Sequence, residues 1–137
     1  MSKSYLTAYV ATAVAFLAID SVWLSVMASQ FYRPLLGDLL AEDFDVAAAA
    51  LFYVLYVGGI VFFAVRPAFA DGRPATAAVS GAAFGLCAYG TYDLTNQATL
   101  RNWPTVVTVA DLCWGTILTA TAATIGYLVA ARLGRSD

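Results

Sequence analysis

The chain has 137 residues, 61% of them hydrophobic and 12% charged, with a formal net charge of −2. Soluble domains carry about 25% charged residues, so this balance excludes an ordinary water-soluble domain, and the lack of a basic cluster excludes a nucleic-acid partner. With no histidine and a single lysine, Lys3, the sequence also excludes histidine-ligated haem, the usual zinc sites and a Schiff-base lysine within a helix.

Four long apolar stretches, about 5–27, 47–65, 75–96 and 105–131, fill most of the chain. Each has the roughly 20 residues that a helix needs to cross a bilayer core, and none shows the alternation of a barrel strand. The fold class expected is all-α: a polytopic membrane protein forming one four-helix transmembrane domain over 1–137. Lys3 before the first stretch and Val26-Met27-Ala28 after it loosely resemble a signal peptide and its cleavage site. Asp20 and Trp23 interrupt the apolar run, and the run is long for a signal sequence, so it reads as a span that is kept.

Arg33-Pro34 marks a break after the first span. Beyond it Leu35, Leu36, Leu39, Leu40 and Phe44 fall on one stripe at helical spacing, with Asp38 and Glu42 off it. This pattern predicts a short helix on the membrane surface, serving as an anchor or as a lid. The second span ends at Arg66-Pro67, and Arg73-Pro74 opens the third. In the third, Gly81, Gly85, Tyr89, Tyr92 and Asn96 form a stripe expected to face the bundle interior, with Asp93 beside it. Its two glycines give the small-residue face that lets helices approach closely. Arg101-Asn102-Trp103-Pro104 separates the last two spans, and Pro104 suits a helix's first turn. Cys87 and Cys113 lie within spans and read as packing residues.

With four spans, both termini share a side with the loop between spans two and three. That side holds Lys3, Arg66, Arg73, Arg132 and Arg135, against Arg33 and Arg101 on the other. The positive-inside rule then places both termini in the cytoplasm. Asp20, late in the first span, Asp93, late in the third, and Asp111, early in the fourth, consequently converge on the outer half of the membrane. A carboxylate near a helix centre costs roughly 2.5–3.5 kcal/mol on insertion scales. Three at similar depth are therefore the leading candidates for catalytic groups.

Asp20-Ser21-Val22-Trp23 and Asp111-Leu112-Cys113-Trp114 share a spacing that puts an indole one turn from each aspartate. Each N–H can donate to a carboxylate, or the rings can belong to the interfacial aromatic belt. Arg101 is placed to pair with Asp93 or Asp111, which would keep a carboxylate ionised. Trp23, Tyr89, Tyr92, Asn96, Arg101 and Trp114 are thus expected to form a substrate-binding shell. Tyr92-Asp93 matches half of an intramembrane aspartyl protease signature, but Thr108-Val109-Ala110-Asp111 lacks the Gly-x-Gly of the other half. Three carboxylates suit an oxygen-loving divalent metal, yet no metal-loop spacing is present and no metal ligand is assigned. The sequence names no cofactor.

The run from Tyr89 to Pro104, Tyr-Gly-Thr-Tyr-Asp-Leu-Thr-Asn-Gln-Ala-Thr-Leu-Arg-Asn-Trp-Pro, is distinctive, as are Val109-Ala-Asp-Leu-Cys-Trp-Gly115, Ile19-Asp-Ser-Val-Trp-Leu24 and Phe31-Tyr32. Together they resemble the bacterial integral membrane proteins grouped as domain-of-unknown-function family 2177. The resemblance implies a small inner-membrane protein with four spans and carries no catalytic assignment. Three function classes stay open. The first is binding or transformation of a lipid headgroup or membrane-soluble small molecule in an outward-facing polar pocket. The second is cation or proton translocation, and the third an accessory subunit. Besides membrane lipids, the expected partners are such a ligand, a second copy or another membrane protein.

Overall fold

The computed structural model describes residues 2–134, with side chains from Ser4 onward. Arg135 and the side chain of Lys3, both counted on the inner side above, lie outside the described residues. The helices are α1 (Ser2–Met27), α2 (Arg33–Leu36), α3 (Val46–Ile60), α4 (Arg66–Asp71), α5 (Pro74–Thr99) and α6 (Thr105–Leu133), and no strand occurs among the described residues. The all-α expectation holds.

The expected breaks at Arg33-Pro34 and Arg66-Pro67 are not breaks. A five-residue π turn precedes each: Ala28–Tyr32 joins α1 to α2, and Val61–Val65 joins α3 to α4. Arg33 N–H donates to the Ala28 carbonyl and Arg66 N–H to the Val61 carbonyl, five residues back. An α-helical proline lacks a donor and crowds the carbonyl four residues before it. The wider turn skips a carbonyl where the proline has nothing to offer, so the helix runs on. Helix then continues to Leu39, in a 3₁₀ turn at Gly37–Leu39, and Gly37 at φ 49° breaks the α geometry. Of the leucine stripe only Leu36 is buried; Leu40 and Phe44 lie beyond the helical residues. Asp45 caps α3 by accepting from the Ala48 N–H at 3.0 Å.

Three helical stretches are long and apolar enough to cross a membrane: Ser4–Leu39, Val46–Asp71 and Thr105–Leu133. α5 has comparable length but carries Ser, Thr, Gly and Asn in place of Leu and Ile, and does not join that set. α6 is the central helix, packed along α5 and α1. Small residues make this possible. A Cβ on Gly85 would come 2.3 Å from the Gly115 carbonyl oxygen, and one on Gly81 3.0 Å from the Ala120 Cα. The packing role expected of both glycines is met. Phe16, Ile60, Leu118 and Val65 fill the interior among alanines, while Leu6, Leu51, Val79 and Ile117 point outward. Large apolar groups outside and small ones inside suit a lipid surround. Cys87 and Cys113 are free and exposed, so the packing role expected of them is not met. Pro104 is the N-cap of α6 and not part of its first turn.

Candidate functional site

α5 buries Ala77, Gly81, Gly85 and Asp93, a row at four-residue steps on which Tyr89 also falls. The sequence stripe had run through Tyr92 instead. Tyr92 is 59% exposed, and its ring meets the edge of Trp103 at 6.0 Å between centroids. The difference arises because closely packed helices meet along i±4 ridges, and that row leads to Asp93. The Tyr89 ring occupies the space over Gly115: a Cβ there would lie 2.2 Å from Cγ of Tyr89.

Asp20, Asp93 and Asp111 are all buried. Their surroundings differ. Asp20 Oδ2 accepts from the Tyr53 hydroxyl at 2.9 Å, and Oδ1 accepts from the Trp114 indole N–H at 3.2 Å. Asp111 Oδ1 accepts from the Tyr32 hydroxyl at 2.5 Å, and Tyr32 in turn accepts from the Trp23 indole N–H at 3.1 Å. The two Asp-x-x-Trp motifs are therefore crossed. Each indole serves the other motif's aspartate, Trp114 directly and Trp23 through Tyr32. The indoles stack at 4.1 Å between centroids and 10° between planes, which brings α1 and α6 together at this level.

Asp93 is fully buried, and neither of its oxygens has a hydrogen-bond partner among the described residues. Its polar neighbour is the carboxyl of Asp111, placed for a side-chain hydrogen bond. Two ionised carboxylates have no hydrogen to share, so that bond forms only when a proton lies between them. Arg101 does not supply a counter-charge: it is exposed and, among the described residues, in no ion pair. Asn96 is half-buried, one turn beyond Tyr92 and beside it. Among the described residues no three His, Cys, Asp or Glu side chains gather as a metal site. Asp20 is thus occupied separately from the Asp93–Asp111 pair.

Tyr32 and Tyr53 are the two site residues that the sequence did not single out for a role. A phenol within an apolar span, as at Tyr53, was the available signal, since buried hydroxyls need partners. Two shallow, open grooves lie on the surface of the described residues, and neither is lined by the three aspartates. One, of about 450 Å³, is lined by Arg33, Gly37, Asp38, Leu40, Ala41 and Glu42. The other, of about 480 Å³, lies between the start of α1 and the end of α3.

Residues 5–128 match the family model described as "Predicted membrane protein (DUF2177)", and the chain belongs to that family. Comparisons with curated proteins and with solved structures found no match.

Proposed function

We propose that this predicted membrane protein binds a lipid headgroup or membrane-soluble small molecule at an outward-facing layer formed by Asp20, Asp93 and Asp111. In this reading the Asp93–Asp111 pair orients the ligand's polar group and exchanges a proton with it. One observation carries the reading: Asp93 is sealed from solvent with both oxygens unanswered. Buried polar groups in native proteins are nearly always paired, and ionisable groups in membranes are usually functional. The pair lacks one positive element, which either a proton or a ligand's donor group supplies.

The rest of the arrangement follows from four spans, α5 being the additional one, in an inner membrane with both termini cytoplasmic. α5 lies along α6 and presents Val79, Leu86 and Leu94 outward. Its exposed Thr91, Thr95 and Thr99 return their hydroxyls to carbonyls of the preceding turn, which spares them a water partner. Residues 33–45 then lie at the outer surface, and Tyr32 ties their base to Asp111. Displacing this segment withdraws the donor from Asp111 and opens the pair to a ligand. Trp23, Trp114, Tyr89, Tyr92, Asn96 and Arg101 form the surrounding shell.

A second reading, proton or cation translocation, draws on the buried hydroxyls further along the bundle. Tyr56 Oη and Thr119 Oγ1 lie 2.8 Å apart, and Thr12 Oγ1 is buried without a partner among the described residues. A third, an accessory subunit, draws on the crossed aspartate–indole network, which holds helices together without any ligand.

Native mass spectrometry of the gently solubilised protein, wild type beside Asp93→Asn, separates these readings. A bound lipid or small molecule on the wild type, lost from the folded variant, is the expected result. Identical spectra contradict binding at the pair. Liposome flux that follows an imposed gradient and depends on Asp93 would instead establish translocation.

A further inference from the structure

The groove of about 480 Å³ between α1 and the end of α3 is separate from the aspartates. Its volume falls within the roughly 300–1,000 Å³ of small-molecule sites. Leu6, Tyr9, Gly58, Val61 and Phe62 line its length, and Tyr5 and Arg66 complete it. Tyr9 is pinned by donating its hydroxyl to the Val54 carbonyl at 3.0 Å, so this wall is fixed. A Cβ on Gly58 would find only Tyr9 Cε2, at 4.0 Å, so the missing side chain leaves the floor open. The neighbouring Val61–Val65 turn is π-helical, a local geometry frequent at functional sites. Arg66 follows it directly, its guanidinium carbon 5.1 Å from the Phe62 ring centroid. Among the described residues no carboxylate pairs with Arg66, and the side chain is exposed.

α1 and α3 run in opposite directions, so Tyr5, four residues before Tyr9, and Arg66, eight after Gly58, both belong to the same end of the groove. A slot that is apolar along its length and carries at its end an arginine with no carboxylate partner among the described residues has the polarity of a phospholipid with an anionic headgroup. Arginine's planar fork matches a phosphate through paired N–H donors, and stacking on Phe62 holds it ready. We infer that this groove is a binding site for one anionic phospholipid, with an acyl chain between Leu6 and Val61 and the phosphate on Arg66. The site is independent of the aspartate pair.

The test uses the full chain in bilayer discs of phosphatidylcholine with a minority of phosphatidylglycerol, followed by native mass spectrometry of the released protein. A retained phosphatidylglycerol is expected on the wild type in preference to the more abundant phosphatidylcholine. Arg66→Gln should lower its occupancy about fivefold, the worth of one basic side chain at an anionic surface. Gly58→Leu should displace it by filling the floor, with Arg66 intact. Asp93→Asn should leave it in place, which separates failure of this site from failure of the aspartate reading. Circular dichroism confirms that each variant is folded. Retention of the two lipids by the wild type in the proportion of the disc, or unchanged phosphatidylglycerol on either folded groove variant, overturns the proposal.

Discussion

Asp20 and Asp93 are both aspartates withdrawn from solvent on long helices of one bundle, yet their surroundings are opposite. Asp20 has a donor for each oxygen, a phenol from α3 and an indole from α6. It ties three helices together, so its part in the proposed layer is to hold the frame beside the Asp93–Asp111 pair. Asp93 has no donor among the described residues, and its neighbour is a second carboxyl. A group that serves the fold is one whose hydrogen bonds are already made; a group kept despite unmade bonds points to something that arrives. Burial alone does not distinguish the two, because both are buried.

The largest expected effect comes from forcing the Asp93 helix away from the Asp111 helix. Gly115→Leu places a side chain where the Tyr89 ring lies. It should cost about 1–3 kcal/mol or more through overpacking, and unfolding in mixed detergent micelles measures it. Ligand retention should be lost with it, while Gly58→Leu, a similar change where a Cβ meets only Tyr9 Cε2 at van der Waals distance, should leave stability nearly unaltered. Asp20→Asn should follow. The amide oxygen can still accept from the Trp114 N–H while its NH₂ donates to the Tyr53 oxygen, but the Tyr53 O–H hydrogen, which Asp20 Oδ2 accepts in the wild type, then loses its acceptor. The expected loss is about 1–3 kcal/mol, read by the same unfolding titration. A loss as small as that of an exposed substitution would remove the structural role given to Asp20. Tyr32→Phe should be milder, about 0.6 kcal/mol for a side-chain hydrogen bond between membrane helices. It also frees Asp111, so ligand affinity should change by more than stability does. The reverse ranking would make Tyr32 a purely structural tie.

Much of this was readable from residue order. The helical class follows from long apolar runs without alternation, and the burial of all three aspartates follows from their place in those runs. The glycine contacts of α5 follow from small residues four apart. What was not readable depends on which helices touch. The crossed exchange of indoles is invisible in Asp-x-x-Trp, because the spacing fixes only that each pair shares a face of its own helix. Tyr92 and Asp93 are adjacent, so a modest rotation of α5 decides which is buried; the pattern of polar residues favoured Tyr92, and the i±4 packing ridge selected Asp93. Arg101 was near enough in sequence to neutralise a carboxylate, but it lies in the connection beyond α5 and is exposed. The helix continuing through Arg33-Pro34 and Arg66-Pro67 was hidden as well, since a proline's local preference says nothing of a π turn ahead of it.

Asp93→Asn and Asp20→Asn, compared in one unfolding titration, test the central distinction most directly. At position 93 the new amide can donate to Asp111, making the bond that two carboxylates lack. The account predicts that Asp93→Asn is as stable as the wild type or more stable, while Asp20→Asn is clearly less stable. A loss at Asp93→Asn equal to that at Asp20→Asn would contradict it, and would make the Asp93–Asp111 pair another tie between helices.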